Sequence, residues 1–262
     1  MTTRSHAFRF GDQLSEPREL ERGRVHLWYI LTEHATRMGW LSRYGGILSR
    51  EERERQRRFV FQKDRDEFLI ARVMLRTALS QYSKTRPGDW CFQLNQYGKP
   101  EIMPDQNQSQ IRFNLTHCHG LVLCGVTIVD DIGVDCESLE RPIDFQKLVD
   151  RVFSARERQY FHSVPSMRQQ ELFFRLWTLK ESYIKARGLG MSIPLQEFSF
   201  DVSNRKAIRI EFSPNLQDQS DRWQFRTPAI PEPFVAAVAV NFSESRKLRV
   251  DVRQSNGGLG TA

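Results

Sequence analysis

The string Ser-x-x-Glu-Arg occurs twice, at 49–53 and again at 154–158. Ser followed three residues later by Glu is a capping box: the hydroxyl accepts from the third helical amide, and the carboxylate accepts from the cap's own amide. An aromatic follows each copy (Phe59 and Phe161), and then a longer stretch with helical apolar spacing, 67–79 in one case and 171–185 in the other. A helix start repeated with its sequel, at domain-like distance, constrains the chain to two similar halves.

Runs with strand patterning fill in the same repeat. Strands at 25–31 and 132–137 open the halves. A strand at 90–94 in the first corresponds to 198–202 or 208–212 in the second. The pair 113–116 and 121–128 corresponds to 223–226 and 234–241. The expected class is α+β: two pseudo-symmetric halves, each a mainly antiparallel sheet packed with helices. The first half covers 1–130 and the second 131–245, with a strand end and flexible tail over 246–262. The junction Val129-Asp130-Asp131 is so short that the halves must pack together with a cleft between them. Residues 1–20 and 254–262 read as frayed.

Composition narrows the setting. With 39% hydrophobic residues, 18 Phe and 5 Trp in 262 positions, the chain can bury a core. No apolar run reaches the ~20 residues of a membrane span, and positions 1–13 lack the apolar centre of a secretory signal. Four dispersed cysteines without a C-x-x-C pair argue against a disulfide framework or zinc ribbon, so a cytoplasmic protein is expected. The net charge is +7, and 50–76 holds Arg53, Arg55, Arg57, Arg58, Lys63 and Arg65 among interleaved acids. Such a stretch attracts nucleic acid, a phosphorylated cofactor or an acidic protein, or is simply a solvated helix face. No RNP, zinc-finger or helix-turn-helix signature supports nucleic acid.

Four segments carry residues suited to chemistry. In Ile132-Gly133-Val134-Asp135-Cys136-Glu137, strand alternation puts Asp135 and Glu137 on one face and sends Val134 and Cys136 into the core. Two such carboxylates suit Mg²⁺; two solvated acids at a strand end are the plain alternative. In Trp177-Thr178-Leu179-Lys180-Glu181-Ser182-Tyr183-Ile184-Lys185, helical spacing stacks Trp177, Glu181 and Lys185. Glu181 is then a third ligand or a general base and Lys185 a cation for phosphate, unless the two are an ordinary surface pair. The string FNLTHCHG at 113–120 reads as a turn between strands, with Asn114, Thr116 and His117 as donors at a hairpin mouth. His117 and His119 lack further metal partners at suitable spacing. Tyr97-Gly98-Lys99-Pro100 is a tight turn presenting one lysine.

Taken together, YGKP, FNLTHC, IGVDCE and WTLKESYIK, in this order, resemble the surfactin-synthetase-type 4′-phosphopantetheinyl transferases. The resemblance runs from about Leu48 to about Phe200. It implies an enzyme that moves the phosphopantetheine arm of coenzyme A to a serine of an apo acyl, peptidyl or aryl carrier protein. By resemblance, Asp135, Glu137 and Glu181 hold Mg²⁺ (or Mn²⁺), Glu181 is the general base and Lys185 stabilises the leaving phosphate. Arg55, Lys99, Asn114, Thr116, His117, Asp135, Lys180 and Lys185 are implied cofactor contacts. Glu52 stands where relatives often carry a basic residue. An acidic carrier is expected to dock around 151–161, and the two-half chain is expected to act as a monomer, without nucleic acid or membrane. A basic nucleic-acid module and a non-catalytic coenzyme A-binding protein are the competing readings.

Overall fold

The computed structural model describes residues 16–204, 207–242 and 247–255. Positions 1–15 of the expected N-terminal fray, and the tail beyond 255, lie outside the described residues. In the first half, β1 (Arg24–Leu31) leads through two short helices, α1 (Thr32–Arg37) and α2 (Trp40–Arg43), to α3 (Arg50–Arg57) and α4 (Gln62–Leu79). A small hairpin, β2 (Phe92–Leu94) and β3 (Pro100–Ile102), precedes a long one, β4 (Ile111–Cys118) and β5 (Leu121–Ile128).

The second half repeats the plan with β6 (Ile132–Ser138), α5 (Gln146–Val152), α6 (Ala155–Ser163) and α7 (Ser166–Arg187). Its small hairpin is β7 (Phe198–Asp201) and β8 (Arg209–Phe212), followed by β9 (Trp223–Arg226) and β10 (Phe234–Asn241). Strand order is β1-β5-β4 in one sheet and β6-β10-β9 in the other, antiparallel throughout. The chain then crosses back: β11 (Arg249–Gln254) pairs in parallel with β1 at the edge of the first sheet. The fold is α+β. Among the described residues, no helix is long and apolar enough to cross a membrane.

Both capping boxes form, on α3 and α6. Each box glutamate also reaches a cation of the long helix. Glu52 Oε2 accepts from the Arg76 guanidinium at 2.7 Å, and Arg76 donates onward to the carbonyls of Pro87 and Trp90. Glu157 Oε2 lies 2.8 Å from Lys180 Nζ, which donates to the carbonyls of Leu195 and Phe198. Arg76 is 1% exposed and Lys180 fully buried, so each cation needs its carboxylate and carbonyl partners to offset lost hydration. In both halves this staple ties the short helix, the long helix and the backbone entering the small hairpin.

Two strand expectations shift. Trp90 lies outside β2: it follows a 3₁₀ turn at Pro87–Asp89, and its indole donates to Ser80 Oγ at 2.9 Å. Of the two candidates for the matching strand, both form, as the partners β7 and β8.

The apolar residues gather in three layers. One lies under α4 (Val73, Leu75, Val122, Cys124), one under α7 (Phe173, Leu179, Tyr183, Ala237), and one between the sheets (Leu27, Leu123, Val134, Cys136, Val238). Alternation along β5 serves two layers, with Val122, Cys124 and Val126 toward α4 and Leu121 and Leu123 toward the other sheet. Each fully buried aliphatic side chain contributes about 1.5–3 kcal/mol of transfer free energy. The sheet-to-sheet layer therefore binds the halves firmly.

Candidate functional site

The site begins with a glycine. A Cβ on Gly133 would stand 2.0 Å from the Ser182 carbonyl oxygen and 2.3 Å from the Ala186 nitrogen, both backbone atoms of α7. Only hydrogen lets the long helix lie this close to β6. The close approach puts the half-exposed strip Trp177, Glu181 and Lys185 of α7 over the inner face of β6. Lys185 Nζ reaches Asp135 Oδ1 at 2.5 Å and the Thr116 hydroxyl at 2.9 Å; that hydroxyl donates to Asp135 Oδ1 at 3.3 Å. Glu137 is held by Arg141 at 2.6 Å, a partner not anticipated from sequence, although its i,i+4 offset from Glu137 was there to read.

The electrostatics are unbalanced toward acid. Asp135 and Glu137 are 5% and 8% exposed. Burial raises the Asp135 pKa, against the pull of Lys185 and Thr116. Burial likewise raises Glu137, with Arg141 opposing and Asp135 reinforcing. For Glu181 the upward causes are burial, then the Asp135 and Glu137 charges, against Lys185. Burial works against the Lys185 ammonium, yet Asp135 and Glu181 outweigh it and hold its pKa above the ordinary lysine value. Asp135 Oδ2 is buried without a hydrogen-bond partner. Among the described residues, no three His, Cys, Asp or Glu side chains already converge into a metal cage. Closing one would need rotation of the Glu137 and Glu181 side chains.

The string 113–120 is strand rather than turn: β4 runs to Cys118, and the turn is His119-Gly120, where Gly120 takes φ +95°. Alternation then splits its residues. Asn114 and Thr116 face β6, and Asn114 Oδ1 accepts from the Val134 amide at 2.8 Å, joining the edges of the two sheets. Phe113 and Leu115 face the α4 layer, and His117 follows on that side. Burial lowers the His117 pKa, opposed by Glu67 and assisted by Lys185, Arg72 and Arg55. Arg55 and Arg72 both lie over the Phe68 ring, at 5.9 and 5.1 Å. Two groups thus flank β4: the acids with Lys185 and Thr116, and a basic group of Arg55, Arg72 and His117.

Two expected cofactor contacts stand apart. Lys180 belongs to the buried staple, and its ammonium is already shared among Glu157 and two carbonyls. It points away from the strip that carries Glu181, a placement that favours supporting the site over meeting phosphate. Lys99 donates to the carbonyls of Ile132 and Ala186, at 3.0 and 3.1 Å, bridging β6 and the end of α7. Burial lowers its pKa to about 8, against Asp131 and Glu101. It also lines a separate cavity of about 440 Å³ beside Arg112 and Asp131. Glu52 caps α3 and receives both Arg76 and Arg72. Around 151–161, Arg156 and Arg158 are paired with Glu211 and Asp150.

Comparison with known proteins matches this arrangement in both halves. Residues 131–239 match the 4′-phosphopantetheinyl transferase superfamily, and residues 35–127 match the 4′-phosphopantetheinyl transferase N-terminal family. The chain is 33% identical to 4′-phosphopantetheinyl transferase HetI of Nostoc sp. over 82% of its own length and 87% of the relative's. It is 32% identical to a 4′-phosphopantetheinyl transferase of Bacillus subtilis, over 82% and 91%. With 4′-phosphopantetheinyl transferase Sfp of Bacillus subtilis strain 168 it shares 32% identity over 64% and 73%. The duplicated frame, the acid-rich seam and these matches over most of its length agree: the chain is an enzyme that belongs to the 4′-phosphopantetheinyl transferase superfamily.

Proposed function

We propose that the chain transfers the 4′-phosphopantetheine arm of coenzyme A to a serine hydroxyl of an apo acyl, peptidyl or aryl carrier protein, leaving adenosine 3′,5′-bisphosphate. The supporting observation is one seam between the halves that joins three carboxylates, a buried Asp135 oxygen without a partner, and the Lys185 ammonium. This donor set is all oxygen and mutually repulsive, which fits a hard divalent cation, Mg²⁺ or Mn²⁺. Asp135, Glu137 and Glu181 would hold it, and the ion would supply charge neutralisation at the pyrophosphate.

The protein's own groups divide the remaining work. Glu181 takes the serine proton; its raised pKa makes it a stronger base than an exposed glutamate. Lys185 holds its proton and faces the acids, where it stabilises charge growing on the departing phosphate. Thr116 fixes Lys185 and Asp135 relative to each other. Arg55 and His117, with Arg72, offer cation and donors to the cofactor's outer phosphate on the α4 side of β4. The net charge of +7 favours encounter with an acidic carrier. We assign the enzyme to the cytoplasm as a monomer, since β4 and β6, the strands that meet at the seam, both come from one chain.

The test is the intact mass of an apo carrier protein incubated with this enzyme, coenzyme A and Mg²⁺. A gain of one phosphopantetheine unit, lost with EDTA and restored by excess Mg²⁺, is expected. No gain across acyl, peptidyl and aryl carriers would overturn the reading, and a gain that persists in EDTA would overturn the metal's part in it.

A further inference from the structure

Two thiols meet where the halves join. Cys118 ends β4 and Cys136 lies in the middle of β6, between Asp135 and Glu137. These edge strands belong to different sheets yet run side by side, tied by Asn114 to the Val134 amide and by Thr116 to Asp135. Cys118 continues the Asn114 and Thr116 face of β4 and packs against the inter-sheet layer that contains Cys136. The Cys118 side chain acts on Cys136 directly: first that neighbour and then burial raise the Cys136 thiol's pKa. Cys118 is partly open to solvent while Cys136 is 2% exposed. The other cysteines sit elsewhere: Cys124 faces the α4 layer, and Cys91 is at the surface near the small hairpin. A disulfide needs Cβ atoms about 3.5–4.5 Å apart, a spacing the backbone sets, and the close approach of β4 to β6 is what brings the two cysteines together.

We propose that Cys118 and Cys136 form a reversible redox site that locks the two halves together beside the acid cluster. With oxidised glutathione as oxidant, the outer sulfur, Cys118, attacks the glutathione disulfide and releases one glutathione thiol. The Cys136 sulfur then attacks Cys118 and releases the second. Two protein thiols give up two electrons and two protons, and one glutathione disulfide becomes two thiols. In a reducing compartment such a bond is transient, which makes it a switch rather than a staple. Bonding Cys136 to β4 fixes the stretch of β6 that carries Asp135 and Glu137. These acids have yet to converge with Glu181, so the crosslink holds the site short of its working arrangement.

The test reads the bond directly and the activity separately. The folded enzyme is equilibrated in glutathione buffers of rising oxidised fraction, its thiols are blocked, and it is digested without reduction for mass spectrometry. A peptide pair joined through Cys118 and Cys136, two hydrogens lighter than the sum, is expected in the wild type and in Cys91→Ser. It should be absent in Cys118→Ser and Cys136→Ala. Carrier modification should fall at least five-fold in step with the crosslink, return on reduction with dithiothreitol, and stay unaffected by oxidant in Cys118→Ser. Glutathione left as a mixed disulfide on Cys118 or Cys91 with no crosslink, or a crosslink formed only in denaturant, overturns the proposal. The activity arm rests on the transferase reading; the peptide arm does not, so failure of one is distinguishable from failure of the other.

Discussion

The halves use the same frame and fill it differently. Each has a capping-box glutamate stapled to a buried cation, Arg76 in one and Lys180 in the other. Where the long helix meets the first strand, they diverge. In the first half, His26 Nδ1 and Trp28 Nε1 both bond the Tyr82 hydroxyl at 2.8 Å, three neutral side chains with Arg253 and Asp251 of β11 reaching His26 Nε2 from outside. In the second, Asp135, Glu137 and Glu181 stand against Lys185 and Arg141, with one carboxylate oxygen left over. The staple position sharpens the contrast: the residue after Arg76 is Thr77, whose hydroxyl bonds its own helix, whereas the residue after Lys180 is Glu181. A shared frame with one neutral and one charged filling separates what a half needs to stand from what it needs to react.

The strongest way to break the comparison is Gly133→Ala. A methyl group 2.0 Å from the α7 backbone must part β6 from the helix, and we expect a loss above about 4 kcal/mol in urea unfolding, or failure to fold. Gly125→Ala meets only side chains, Val134 and Ile132 at 2.7 and 2.8 Å, and should cost less. Next come Arg76→Met and Lys180→Met. Lys180→Met strands the buried Glu157 and should lower stability by about 3–5 kcal/mol, whereas Arg76→Met leaves Glu52 paired with Arg72 and should cost less. A Lys180→Met protein of near wild-type stability would return that lysine to the list of phosphate contacts.

Glu181→Ala should reduce carrier modification by about 10²–10⁴-fold while leaving the unfolding midpoint near wild type. Thr77→Ala, its counterpart, should leave transfer unchanged and cost about 1 kcal/mol at most. The smallest effect is a pH dependence confined to the neutral half. The His26 pKa is lowered to about 4, by burial first and then by Arg253. The folded state therefore binds fewer protons than the unfolded one between pH 6.5 and about 4. Stability from this group is present above pH 6.5 and is lost as pH falls toward 4. Urea midpoints measured across that range should show the slope in the wild type and lose this component in His26→Asn.

What could be read from sequence was local. Capping boxes at Ser49 and Ser154, and alternation at 121–128, 132–137, 223–226 and 234–241, involve residues within a few positions of one another, so their signals survive without coordinates. The stacking of Glu181 and Lys185 has the same origin. What escaped depended on burial and on distant partners. Lys180 and Lys185 are chemically identical, and only the packing of β7 against α7 decides which one is enclosed. Lys99 looks like a presented cation in a GKP turn, yet it is drawn to carbonyls of two segments far along the chain. Cys118 and Cys136 looked dispersed because their proximity comes from two sheet edges meeting. His117 and Thr116 parted company because the string that holds them is strand, which turns consecutive side chains to opposite faces.

The parallel pairing of β11 with β1 has a consequence for the order in which the chain is made. Strand β1 leaves the ribosome well before the neighbour on its outer side, with the whole second half made between them. Until β11 emerges that edge presents unpaired amides and carbonyls, open to pairing with any other extended chain. The contact that covers it joins segments on either side of the entire second half, the kind of long-range pairing that forms slowly. Closure of the first sheet thus waits on the second half, since a ribosome that stalls there leaves β1 exposed along one edge.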